Sequence, residues 1–409
     1  MVTSSYSKNK AISLPWFALL AFFFTFLVDY LFLLGKIPIF PLSLIYIGLL
    51  LLLSFSIFTK LLRFGFGLKI ELVQLLSWIL IAFVVFQHFV WFPQIASNGG
   101  RDVFMFMAGQ TLMVPLLLWL IGTQLGEQFR ASHNSRVVKV SMFLILLGFA
   151  IVLANGVIRG YLFSGTLFFM YRNYSLDRSF NYLWFGDAIA FVSLMILGLL
   201  DGQYKAQIAT YLVTSLMLLF NYSRTSFIIF AVVGILYFFW KKKKPVLLFF
   251  IPFSTVLLVL ITQGPFLYER FSKVRFLKRM LSIFAGLSVN ESIMDRIITI
   301  KEGFSSPPIY MILGRFMDEW WRTGDPGYYI HNWLSFLMSY GLIPFILSIV
   351  IFVLLIYKAN RIRDLVGDPF PLALLAYSLL AVTISRAYNW PFIWLAVGLT
   401  GYYRIENFS

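Results

Sequence analysis

Residues 12–34 read ISLPWFALLAFFFTFLVDYLFLL, an apolar run with one charge, Asp29. A helix needs about 20 such residues to cross the hydrocarbon core of a bilayer. The run is too long for the h-region of a cleaved signal peptide, so it reads as a retained first span. Eleven further runs follow, near Ile39–Phe58, Ile70–Phe89, Val103–Ile121, Val137–Val157, Tyr182–Leu200, Gln207–Phe220, Ser226–Trp240, Pro245–Thr262, Trp333–Tyr357, Phe370–Ser385 and Trp390–Tyr403. The seventh and eighth are short and also read as one broken hairpin. The expected fold is an all-α polytopic membrane protein with about 12 transmembrane helices.

Composition excludes the alternatives. Of 409 residues, 60% are hydrophobic and 12% are charged. A soluble domain needs roughly 25% charge to cover its surface, and a disordered chain needs low hydrophobicity. There is no cysteine, which removes disulfides, thiolate metal sites and Cys nucleophiles. The three histidines, His88, His133 and His331, fall in different loops or segment ends, which disfavours an all-His metal site. No Walker-type phosphate loop or nucleotide-binding domain is present. No cofactor, no metal and no nucleic-acid partner is expected.

Thirty-three Lys and Arg face 17 Asp and Glu, a net charge of +16. Lys and Arg in short loops set orientation. With the N-terminus inside, seventeen basic residues fall on the cytoplasmic side, Lys241-Lys242-Lys243-Lys244 the densest group, and seven on the other. Both termini then face the cytoplasm. The chain divides into helices 1–9 over residues 1–262, a large outward loop over 263–332, and helices 10–12 with a short tail over 333–409.

The seven outward residues are Lys36, Arg101, Arg159, Arg172, Arg178, Arg224 and Arg386. Lysine suffices for orientation. Arginine grips phosphate through a planar fork that never deprotonates. It also snorkels to headgroups. As a group, the arginine bias points to a shared anionic ligand. In Asn221-Tyr222-Ser223-Arg224-Thr225-Ser226, hydroxyls flank one Arg where a helix begins, and the helix N-terminus adds positive potential.

The long loop carries more. Residues 270–284 have the spacing of a basic amphipathic helix lying in the interface. Ser292-Ile293-Met294-Asp295 reads as a capping box with Arg296 behind it. Gly314-Arg315-Phe316 precedes Asp318-Glu319-Trp320-Trp321, where acids beside Trp rings suit sugar binding and equally suit an interfacial aromatic belt. His331-Asn332 closes the loop. Histidine is suited to take a proton near neutral pH, and Asn332 suits a cap or a ligand contact. Asp29 and Asp187 are the intramembrane acids, with Arg178 as a partner for Asp187.

The segment from His331-Asn332-Trp333-Leu334 through Tyr340-Gly341-Leu342-Ile343 resembles the His-Asn segment of the bacterial O-antigen ligase/polymerase superfamily. Ser223-Arg224-Thr225 resembles that family's Ser-Arg turn. Asp295-Arg296 with the later Gly314 resembles its loop pattern, and Arg178-Ser179-Phe180-Asn181 is a looser match. Pro344 stands where the family often has a second Gly. The resemblance implies a GT-C-like, metal-independent glycosyltransferase in the bacterial inner membrane, its active site facing the periplasm. Its substrate would be an undecaprenyl-pyrophosphate-linked oligosaccharide, and its other contacts membrane lipids and a chain-length regulator.

On that reading His331, Arg224 and Arg296 are the catalytic residues. Arg178, Ser223, Arg315, Asn332, Asp318, Glu319, Trp320 and Arg386 bind substrate. Polymerase is the favoured activity, because the match outside the motifs is weak and polymerases vary with their repeat units. Transfer of the polymer to lipid A core, by a ligase, stays open. So does a transporter of lipid-linked sugars, which would use midplane acids.

Overall fold

A computed structural model describes residues 12–37, 42–64, 71–164, 169, 171–173, 178–221, 223–241, 266, 269–270, 291–325 and 330–403. The ninth run, Pro245–Thr262, and most of the amphipathic stretch 270–284 lie outside the described residues. Each of the other eleven runs coincides with helix. Among the described residues, six helices are long and apolar enough to cross a membrane: Leu14–Leu33, Leu72–Ser97, Arg101–Gln128, Arg136–Phe163, Tyr182–Leu199 and Leu342–Val366.

The first half comprises α1 (Leu14–Leu33), α2 (Leu42–Phe64), α3 (Leu72–Ser97), α4 (Arg101–Ala108), α5 (Val114–Gln128) and α6 (Arg136–Ser164). A single π-turn, Gly109–Met113, links α4 and α5 into one continuous rod. Then come α7 (Tyr182–Leu199), α8 (Tyr204–Phe220) and α9 (Arg224–Trp240). Three short loop helices follow: α10 (Glu291–Gly303), α11 (Pro308–Leu313) and α12 (Asp318–Thr323). The chain closes with α13 (Leu334–Tyr340), α14 (Leu342–Val366), α15 (Phe370–Ile384) and α16 (Phe392–Gly401). A two-residue antiparallel ladder pairs Arg172 with Ser179 and Asn173 with Arg178.

Two departures from expectation have local causes. α3 runs past Phe89 to Ser97, through Pro93, so His88 lies inside a helix and not at a segment end. His88 is buried, and its ring nitrogens reach the Val84 carbonyl at 2.7 Å and Thr111 of the π-turn at 2.8 Å. The seventh and eighth runs, counted separately in the sequence, are two helices meeting at Asn221 and Ser223. The tenth run breaks at Gly341, whose φ of 91° no β-carbon-bearing residue tolerates well. A β-carbon on Gly341 would meet Ile312 O at 2.6 Å, and one on Gly314 would meet Tyr340 C at 2.4 Å. The break therefore lets the loop's backbone lie directly on the tenth span.

α7 is the central helix: every residue from Phe185 to Leu199 is buried. Phe22, Phe23 and Phe26 of α1 pack edge-on against Phe392 and Phe149, and Phe26 lies tilted against Phe185. α5 and α16 cross in backbone contact. A β-carbon at Gly122 would lie 2.5 Å from Leu395 O, at Gly126 2.4 Å from Leu399 O, and at Gly398 2.5 Å from Trp119 O. Small residues four apart permit such approach where helices gain nothing from expelling water. The outer helices present large apolar side chains to their surroundings: Leu51 is 65% exposed, Phe86 61%, Phe163 73% and Val353 60%. Water would reject that surface, and lipid accepts it.

Candidate functional site

The site is built where the turn between α8 and α9 meets the start of α7 and the end of α15. Asn181 caps α7, accepting from the Trp184 backbone N–H at 3.1 Å. One turn on stands Gly186, where a β-carbon would fall 2.3 Å from Asn221 Nδ2 and 3.2 Å from Ser223 Cβ. The missing side chain admits the Asn221–Ser226 turn against α7. Asn221 Nδ2 then donates to the Tyr182 carbonyl at 3.1 Å.

Beneath that turn lies the acid Asp187, fully buried. A charge in an apolar interior requires a partner and further hydrogen bonds. Arg386 donates to Asp187 Oδ2 through Nε at 2.7 Å and to Oδ1 through Nη2 at 3.1 Å. Trp390 Nε1 donates to Oδ2 at 2.8 Å. The Tyr377 and Ser226 hydroxyls each donate to Oδ1 at 2.7 Å. Arg386 Nη2 also reaches the Ser223 and Ser226 hydroxyls at 3.1 and 3.0 Å, and Nη1 reaches Ser385 at 3.0 Å. The described partner is an arginine 199 residues away in sequence. The Arg178 side chain lies outside the described residues.

Arg224, the first residue of α9, follows Ser223 directly. Arg296 of α10 donates to the Ile384 carbonyl at the end of α15, at 3.1 Å. Its pKa is lowered by burial and then by the nearby Arg386 and Arg224 guanidiniums. His331 joins the same group. Its pKa falls to about 4, through burial first and then repulsion from Arg296 and Arg386. The imidazole is therefore neutral at pH 7. Asn332 faces inward: its Oδ1 accepts from Leu334 N at 2.9 Å and its carbonyl accepts from the Ser335 hydroxyl at 2.7 Å. Ser335 Oγ accepts in turn from Tyr388 N at 2.8 Å, tying the His-Asn segment to the strap that carries Arg386.

The remaining sequence candidates form a second, separate cluster. Asp318 is buried and accepts from Ser306 at 3.1 and 3.2 Å and from Arg322 Nε at 2.8 Å. Arg315 Nη1 stands 3.8 Å from Asp318, and its guanidinium is sandwiched between the Tyr310 and Trp321 rings at 4.6 and 4.7 Å. Glu319 is buried and accepts from the Tyr388 hydroxyl at 2.7 Å; burial raises its pKa to about 7. Trp320 packs against the α3–α4 corner, where a β-carbon on Gly100 would touch its ring at 2.6 Å. Among the described residues, no three His, Asp or Glu side chains come together as metal ligands would.

Of the residues the sequence singled out, Arg296 lies near Arg224 and Arg386, and His331 near Arg296 and Arg386. Sequence reading missed Ser226, Tyr377, Ser385 and Trp390 around Asp187. A signal existed. Asp187 is the sole acid in its run and Arg386 the sole base between the last two runs, and an intramembrane charge calls for its opposite. No family model, no curated protein and no solved structure matches the chain.

Proposed function

We propose that this protein is a glycosyltransferase joining undecaprenyl-pyrophosphate-linked repeat units at the periplasmic face of a bacterial inner membrane. The observation carrying this reading is the grouping of Arg296 with Arg224 and Arg386, and of the neutral His331 with Arg296 and Arg386. Breaking a glycosyl–pyrophosphate bond expels an anion, and fixed positive charge lowers that barrier. Arg224 and Arg296 hold the pyrophosphate. The acceptor hydroxyl oxygen bonds to the anomeric carbon, the carbon–oxygen bond to pyrophosphate breaks, and undecaprenyl pyrophosphate leaves with the electron pair. A His331 ring nitrogen takes the hydroxyl proton.

The same charges link binding to basicity. Arg296 and Arg386 help hold His331 down at about 4 in the empty site. A bound pyrophosphate offsets them, so His331 becomes a stronger base when substrate is present. Asp187 is engaged by Arg386, which weighs against a transporter using it as a midplane proton carrier.

The test is the lipid-linked glycan profile of a deletion strain carrying Arg224→Ala or His331→Ala. Loss of long chains with accumulation of single repeats supports polymerase. Long lipid-linked chains that fail to reach lipid A core indicate a ligase instead. If both variants yield wild-type chain lengths, the assigned site is wrong.

A further inference from the structure

We propose that Asp187 is a positioning residue. It clamps Arg386 and, through the Ser223 and Ser226 hydroxyls, fixes the turn that aims Arg224. Three features carry this. Asp187 accepts five hydrogen bonds from α7's neighbours: two from Arg386 and one each from Trp390, Tyr377 and Ser226. Arg386 is only 5% exposed, and its fork is turned inward onto the carboxylate and the two serines. Ser223 and Ser226 flank Arg224 and hydrogen-bond to each other at 2.7 Å. A shift of Asp187 would therefore pass through one side chain into the backbone on either side of Arg224.

The pairing also sets the charge of the site. Arg386 is compensated by Asp187, and its fork is occupied by that carboxylate and the two serines. Arg386 is thus part of the frame and does not grip the substrate. This consequence rests on the pyrophosphate reading above, whereas the clamp itself does not.

The test uses the full-length chain purified in detergent, as wild type, Asp187→Asn, Asp187→Asn with Arg386→Gln, and Arg224→Ala. Hydrogen exchange reads the turn, and calorimetry reads binding of inorganic pyrophosphate. Asp187→Asn should speed exchange at Ser223–Phe227 and weaken pyrophosphate binding about ten-fold, the scale of one charge-assisted hydrogen bond. Charge alone predicts the opposite, because the variant gains a positive charge. The double variant, which buries no uncompensated charge, should recover part of the loss.

Unchanged exchange in the turn, or binding that stays equal or tightens in Asp187→Asn, overturns the proposal. If wild-type protein does not bind pyrophosphate, the functional reading falls, and the exchange result alone decides the clamp. Should Asp187→Asn fail to accumulate, Ser226→Ala keeps the ion pair, removes the bridging hydroxyl and serves both readouts.

Discussion

Two arginine–carboxylate clusters in this molecule solve one problem at different ranges. In the loop, Asp318 binds Arg322 and Arg315, four and three residues along the chain, and each arginine side chain stays 19% exposed. In the bundle, Asp187 binds Arg386 across 199 residues, with side-chain exposures of 1% and 5%. The loop cluster staples one turn of helix. The bundle cluster ties α7 to α15, to the strap before α16 and to the turn before α9. The same chemistry therefore shapes an element in one place and a tertiary arrangement in the other.

The largest test of that contrast is Asp187→Ala. It strands Arg386 in an apolar interior, and such losses run to about 3–5 kcal/mol. Denaturation of the purified protein should show it. Asp318→Ala should fall in the same assay by about 1–2 kcal/mol, because Arg315 and Arg322 can turn toward water. Equal losses would mean that range does not matter and would break the comparison.

A finer test uses pH. Glu319 has its pKa raised from 4.5 to about 7, so its contribution to stability is full below 4.5 and is lost as pH rises toward 7. His331 is lowered from 6.5 to about 4, so its contribution is full above 6.5 and is lost as pH falls toward 4. The two slopes oppose each other between about pH 4.5 and 6.5. Melting temperatures across that interval should rise more steeply with pH in Glu319→Gln and fall with pH in His331→Gln. Parallel profiles for both variants would remove the assigned burial of one group or the other. The smallest effect belongs to Tyr388→Phe. The Tyr388 hydroxyl lowers the Glu319 pKa, so its loss should move the upper end of the glutamate slope to higher pH.

The bundle was legible where the physics is local. Uninterrupted apolar runs marked helices such as α1, α7 and α14, because length and hydrophobicity alone decide them. Breaks were harder. Gly341 divides the tenth run because the loop's backbone at Gly314 needs the space, and that neighbour lies 27 positions earlier. Pro93 was readable as a stop, yet α3 passes through it to Ser97. The arginine bias singled out Arg224 and Arg386, since the residue type carries the information, and Arg296 entered through the long loop's motif. The direction of each side chain was not legible. Nothing near Arg386 in sequence says that it faces Asp187, and nothing near Glu319 says that it faces Tyr388.

The Asp187–Arg386 bridge has a consequence for how the chain is made. α7 carries its acid out of the ribosome 199 residues ahead of the arginine that neutralises it. At roughly 5–20 residues per second, that interval is on the order of 10–40 s. Throughout it a deeply buried helix of the finished bundle carries its acid without that partner. The Asp187 carboxylate is satisfied only once α15 and the strap have been made. The last tenth of the polypeptide would then be the step that commits the central helix to its place.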